Sequence, residues 1–227
     1  MQMKLFETFR FPFFIIALFI IVATSNHGCK PDDNEDINNG CDTCVMVYKP
    51  NIYIYPIEKT EMYITLNFPK GGKVVTSVPE YGSGWNITVD KSGLINDSFD
   101  YLFYESSQPD VWQLNEGWIV KRENLKAFFD ENMTSYGFAK NEIVDFTDYW
   151  IPRLKTGGSY AIYPQNQNLI ESVIQLEISK KPDNLLRLFY VIRESGNNSG
   201  NILPEPKIDK TFKREGFFVT EWGVVLK

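Results

Sequence analysis

From Tyr48 onward the chain alternates apolar and polar residues at a period of two, the pattern of strands with one buried face. Asn51-Ile52-Tyr53-Ile54-Tyr55 is rich in β-branched and aromatic residues and is bounded by Pro50 and Pro56, which marks a strand. Over residues 61–68 the alternation sets Met62, Ile64, Leu66 and Phe68 on one face and Glu61, Tyr63, Thr65 and Asn67 on the other. Pro69-Lys70-Gly71-Gly72 is a turn signal, and Lys73–Val78 reads as the next strand. Trp85–Val89 and residues 101–105 continue the series, with Asp90-Lys91-Ser92-Gly93 between them.

The period then lengthens. Leu125, Phe128, Phe129, Asn132, Met133 and Tyr136 fall at helical spacing, and Gly137 supplies a C-terminal stop with Phe138 positioned to pack back. A second helix is expected from an N-cap at Asn141, with Glu142 in its first turn. Ile143, Val144, Phe146 and Trp150 would form its buried stripe, and Pro152 would end it. Strands resume over residues 159–163, 172–178, 185–193 and 217–226. Lys181-Pro182-Asp183-Asn184 has the chemistry of a hairpin turn, and residues 195–201 have the composition of a flexible loop that Pro204 and Pro206 extend. The fold class this predicts is α+β: an antiparallel β-rich domain, sandwich-like or a curved sheet, with an inserted two-helix hairpin.

The first 28 residues follow a different rule. Lys4 and Arg10 lead into an apolar run over residues 11–23, shorter than the roughly 20 residues that cross a bilayer core. Small and polar residues then precede Gly28-Cys29, the plan of a secretory leader. A cysteine just past such a leader is what a bacterial lipoprotein offers for lipid attachment. The chain has three cysteines, and lipidation of Cys29 would leave Cys41 and Cys44 as a disulfide pair at the domain's start. Two features keep a second reading open: Asn26 stands where lipoprotein signals carry an aliphatic residue, and Ala23-Thr24-Ser25 offers a simple secretory cut after Ser25. Residues 29–44 read as an acidic tether and residues 45–227 as one domain. Acidic residues so close behind the cysteine resemble the surface-export signal of some Gram-negative lipoproteins. The expected location is the cell envelope, at the outer membrane, with the acidic stretch read first as a solvated tether and surface exposure as its alternative.

Charge and composition narrow the chemistry. The chain has 23 basic and 29 acidic side chains, a net charge of −6, which gives no electrostatic footprint for nucleic acid. Its one histidine, His27, precedes Cys29, so on the lipoprotein reading the exported chain holds none for a Ser-His-Asp or Cys-His nucleophile or for an imidazole zinc site. No cofactor and no metal site is expected, and no residue is assigned a catalytic role. Carboxylates beside aromatics could still serve a glycan, by hydrolysis or by binding. The ligand-binding candidates are Glu80, Tyr81 and Trp85 around Gly82-Ser83-Gly84, with Glu105, Arg153, Glu221 and Trp222, and Arg153 and Glu221 are paired in a buried ion pair on this reading.

Lys49-Pro50-Asn51-Ile52-Tyr53-Ile54-Tyr55-Pro56 resembles the opening strand of an uncharacterised family of exported proteins. Tyr101-Leu102-Phe103-Tyr104-Glu105, Tyr149-Trp150-Ile151-Pro152-Arg153-Leu154 and Gly216-Phe217-Phe218-Val219-Thr220-Glu221-Trp222-Gly223 fit the same pattern. The resemblance implies one coherent domain and brings no activity with it. Three functional classes follow. The chain is a membrane-anchored domain that binds a glycan or an envelope protein, a carboxylate-dependent hydrolase of glycans, or a structural subunit of an envelope complex.

Overall fold

The computed structural model describes residues 43–195 and 203–227. The leader, Cys29, Cys41, most of the tether and most of the 195–201 loop lie outside these residues; Cys44, the first strand residue, is disulfide-bonded. In chain order the elements are β1 (Cys44–Tyr55), β2 (Thr60–Asn67), β3 (Lys73–Val78), β4 (Trp85–Val89), β5 (Leu102–Pro109), β6 (Trp118–Lys121), α1 (Leu125–Tyr136), α2 (Lys140–Trp150), β7 (Ser159–Gln165), α3 (Gln167–Glu171), β8 (Gln175–Ile178), β9 (Asn184–Glu194) and β10 (Phe218–Leu226). Among the described residues no helix is long and apolar enough to cross a membrane.

The strands form a seven-stranded sheet in the order β3-β5-β1-β10-β9-β7-β6 and a three-stranded sheet in the order β4-β2-β8. Neighbours are antiparallel except β9 and β10, which run parallel with Arg187 beside Glu221. The molecule is thus β-rich and antiparallel-dominated, with few helices. Alternation along each strand decides what lies on each side. Ile52, Ile54, Leu102, Tyr104, Phe189 and Val191 face the small sheet, where they meet Met62, Ile64, Leu66, Trp85 and Ile87. Tyr53, Leu188, Tyr190, Ile192 and Trp222 face the other way and pack on Phe129, Met133, Phe146 and Trp150 of the helices.

Several boundaries differ from the sequence expectation, each for a local reason. Helix α2 starts two residues early: Ala139 is its cap in place of Asn141, and the Glu142 carboxylate reaches back to accept from the Ala139 amide at 2.7 Å. Val144 falls off the buried stripe at 38% exposure, while Glu142 and Thr147 fall on it. The expected strand over 172–178 is shortened to β8, because α3 and its following turn take up Ser172, Val173 and Ile174. Residues 181–184 do not make a hairpin: they carry the chain from β8 in the small sheet to β9 in the large one. Strand β6 and helix α3 were not foreseen, since four and five residues are too few for a period to declare itself.

Candidate functional site

Among the described residues the buried charged side chains, Glu142, Arg187 and Glu221, fall in two networks on opposite faces of the large sheet. On the small-sheet face, Arg187 of β9 and Glu221 of β10 are register neighbours, and both side chains are fully buried. The Arg187 Nε donates to Glu221 Oε2, and its Nη1 donates to Glu171 Oε1 at 2.5 Å and to the Ile174 carbonyl at 2.6 Å. Tyr104 of β5 donates to Glu221 Oε1 at 2.8 Å. Arg187 Nη2 has no partner among the described residues. Burial opposes the guanidinium's charge, but Glu221 and then Tyr104 and Glu171 hold its pKa above the ordinary value. Burial also pushes the Tyr104 hydroxyl well up.

On the helix face, Glu142 is fully buried at the start of α2 and is held from four directions. It accepts from both terminal nitrogens of Arg214 at 3.0 Å, from Tyr55 Oη at 2.8 Å, from Thr220 Oγ1 at 2.9 Å and from its own cap. One helical turn on, Asp145 accepts from Tyr53 Oη at 2.8 Å, and Asn51 Nδ2 donates to that Tyr53 oxygen at 3.4 Å. Burial lifts the Asp145 carboxyl above the usual range. Lys49 completes the row. It sits at φ +51 where the β1 ladder slips between Tyr48 and Asn51, and its ammonium lies 4.9, 4.7 and 5.1 Å from the Tyr101, Phe103 and Tyr149 ring centres. Burial lowers its pKa, opposed by Asp145 and Glu105. A recess of about 340 Å³ opens beside it, lined by Val78, Phe99, Asp100 and Phe103.

A larger groove of about 470 Å³ runs along the first half of β9. Asn168 and Asn184 stand at its rim, Tyr136 and Phe212 wall its helix side, and Lys207, Asp183 and Asp209 supply its charges. Arg187 is among its lining residues, so the orphaned guanidinium nitrogen belongs to a residue that borders open space.

The sequence-derived candidates are not gathered at one place. Trp85 and Trp222 are 2% and 0% exposed, so neither ring is available to a ligand. Trp85 donates to the Pro79 carbonyl at 2.9 Å, and Tyr81 packs edge-on against it while bonding the Leu66 backbone. The Gly82-Ser83-Gly84 segment is therefore a turn anchored by a buried tryptophan, and of the three candidates around it, Glu80, Tyr81 and Trp85, Glu80 alone is exposed. Glu221 pairs with Arg187 and not with Arg153. Arg153 is exposed, stacks on Tyr149 and donates to that residue's carbonyl at 2.7 Å. Glu105 is half-buried near Lys49, with its pKa raised by burial. Sequence reasoning missed Arg187, Glu142 and Lys49 as chemical centres. The signal for Arg187 was present: one arginine inside the apolar run Leu185-Leu186-Arg187-Leu188-Phe189 of a strand buried on both faces.

Comparison with known proteins returns nothing: no family model matches the chain, and no curated protein or solved structure is detectably similar.

Proposed function

We propose that the chain is a lipid-anchored lipoprotein of the bacterial cell envelope, held at the outer membrane through Cys29, whose folded domain binds a partner and does not catalyse. The observation that carries the binding role is the groove beside β9, whose rim offers amide, carboxylate and ammonium groups with two aromatic walls. The carboxylates best placed for chemistry, Glu221 and Glu142, are spent on Arg187 and Arg214, which favours recognition over proton transfer. On the same reading, α1 and α2 form a hairpin inserted between β6 and β7 that walls the groove through Tyr136. What supports the anchor is the leader ending in Cys29 and the odd cysteine count. Cys29→Ser is expected to abolish incorporation of labelled fatty acid and release the protein from the membrane fraction. An unchanged membrane fraction and label would refute the anchor.

A further inference from the structure

Lys49 is set apart first by its backbone. Strand β1 advances from Tyr48 to Asn51 while β10 steps only from Val224 to Trp222. On its other side it advances from Val47 to Asn51 while β5 steps only from Ser106 to Phe103. One extra residue is thus inserted against both neighbours, a bulge of the kind that re-aims side chains beside functional sites. Within it Lys49 takes φ +51, a left-handed value uncommon outside glycine and concentrated at sites that hold the backbone in place. The bulge delivers the ammonium among the Tyr101, Phe103 and Tyr149 rings, the nearest centre 4.7 Å away. Its hydrogen bonds are long, 3.4 Å to Asn51 Oδ1 and 3.5 Å to Tyr101 Oη. No ion pair reaches it among the described residues, whereas Lys126 and Lys227 sit 2.8 and 2.6 Å from aspartates.

The recess beside Lys49 is walled by Val78, Phe99, Tyr101 and Phe103, and it shares no lining residue with the β9 groove. Charge sorts the ligands it can take. A cation finds the ring faces already occupied by the ammonium. An anion meets Asp100 in the lining, and Asp145 and Glu105 outnumber Arg153 among the charges that act on Lys49. A neutral, largely apolar ligand meets neither obstacle and faces an amine. We propose that Lys49 captures an aldehyde with an aromatic or aliphatic body in this recess and holds it covalently as an imine. Burial lowers the pKa of the ammonium against the pull of Asp145 and Glu105, which enlarges the neutral fraction able to attack. The ammonium gives one proton to solvent, and the nitrogen lone pair bonds to the carbonyl carbon. The carbonyl oxygen leaves as water after gaining two protons, one from the nitrogen through Tyr101 Oη and one from solvent. Aldehyde and ammonium thus become a protonated imine and one water, with no net change in protons. The nitrogen keeps its positive charge, so the three rings that hold the ammonium hold the adduct as well.

The test uses the exported chain carrying Cys29→Ser. Benzaldehyde is added at pH 7 with cyanoborohydride, which reduces the imine to a stable secondary amine, and peptide mass spectrometry reads the adduct at each lysine. Lys49 should be benzylated about tenfold faster or more than the exposed Lys180, and glyceraldehyde, which is polar, should show no such preference. Ser98→Trp fills the recess from an exposed position. That variant should remove the preference for benzaldehyde while formaldehyde, small enough to pass, still methylates Lys49 at the parent rate. Benzyl alcohol should slow the benzylation of Lys49 and benzoate should not. Equal rates at Lys49 and Lys180 would overturn the proposal, as would a benzaldehyde rate at Lys49 indifferent to Ser98→Trp. Protection by benzoate without protection by benzyl alcohol would assign the recess to an anion and overturn the covalent reading.

Discussion

Replacing Glu221 by leucine should be among the most damaging single changes in the domain. The substitution leaves the Arg187 guanidinium in a site where both side chains are fully buried, with only Glu171 at 33% exposure to compensate it. Removing one partner of such a pair costs about 3–5 kcal/mol, because the other charge stays desolvated. Tyr104 loses its acceptor as well, a further ~1–3 kcal/mol for a buried hydroxyl. Set against a total of about 5–15 kcal/mol, this removes a large share of the stability. At a urea slope of about 1–3 kcal/mol per molar, the unfolding midpoint should fall by at least about 1 M with the slope unchanged. The triple variant Tyr104→Phe, Arg187→Leu, Glu221→Leu removes all three polar ends together and should recover most of the loss, since an apolar replacement of a buried pair is often neutral. A single variant within about 1 kcal/mol of the parent, or a triple variant as unstable as the single one, would refute this account of the network.

Three further outcomes test the helix side and the groove wall. Burial raises the Asp145 pKa, so its ionised form is costlier in the folded state, and that cost grows as pH rises from the ordinary carboxylate value through the raised one. Asp145→Asn keeps an acceptor for Tyr53 and should raise the melting temperature more at pH 7 than at pH 4; an equal or opposite effect rules the reading out. The Tyr55 and Tyr136 hydroxyls are pushed up to about 12, chiefly by burial, so their contribution is intact below the unfolded value of 10.0 and is lost as pH rises through about 12. Ultraviolet titration should show fewer tyrosinates in the folded than in the urea-unfolded chain at pH 11, and equal counts would contradict the burial. Gly137 caps α1 at φ +111, where an added Cβ would lie 2.8 Å from Phe212 Cδ1. Gly137→Ala should therefore cost about 1 kcal/mol or more in thermal unfolding, and a neutral result would mean that Phe212 is free to move aside.

How much of this was legible from residues alone varies with the range of the interaction. The alternation over residues 61–68 placed Met62, Ile64 and Leu66 inward and Tyr63 outward, because a strand's two faces follow from local period. The helical spacing from Leu125 to Tyr136 and the stop at Gly137 were equally local. The aromatic-rich opening strand was conspicuous as a motif, but its chemistry was not. Asn51, Tyr53 and Tyr55 alternate on β1, and Lys49 joins their row through the register slip. Glu142, Asp145 and Tyr149 stand three and four residues apart on α2. A period of two meets helical spacing, and the result is a row of polar contacts that fixes the helix to the sheet. Nothing near Lys49 in sequence announces a contact with residue 149. The Arg187–Glu221 pair was illegible for the same reason, compounded by topology. It exists because β9 and β10 run parallel, and a parallel neighbour needs a long connection that leaves no turn signal. The expected Arg153–Glu221 pair does not form because the sheet order sets Arg187 of β9 beside Glu221. The one-sided first half of β9 lies further still from local reading. It follows from where β7 ends, and β7 ends where Asn166 accepts from the Leu169 amide and turns the chain into α3. One cap residue thus ends the β7 ladder and leaves the first half of β9 with a strand, β10, on one side only, beside the groove on which the binding proposal rests.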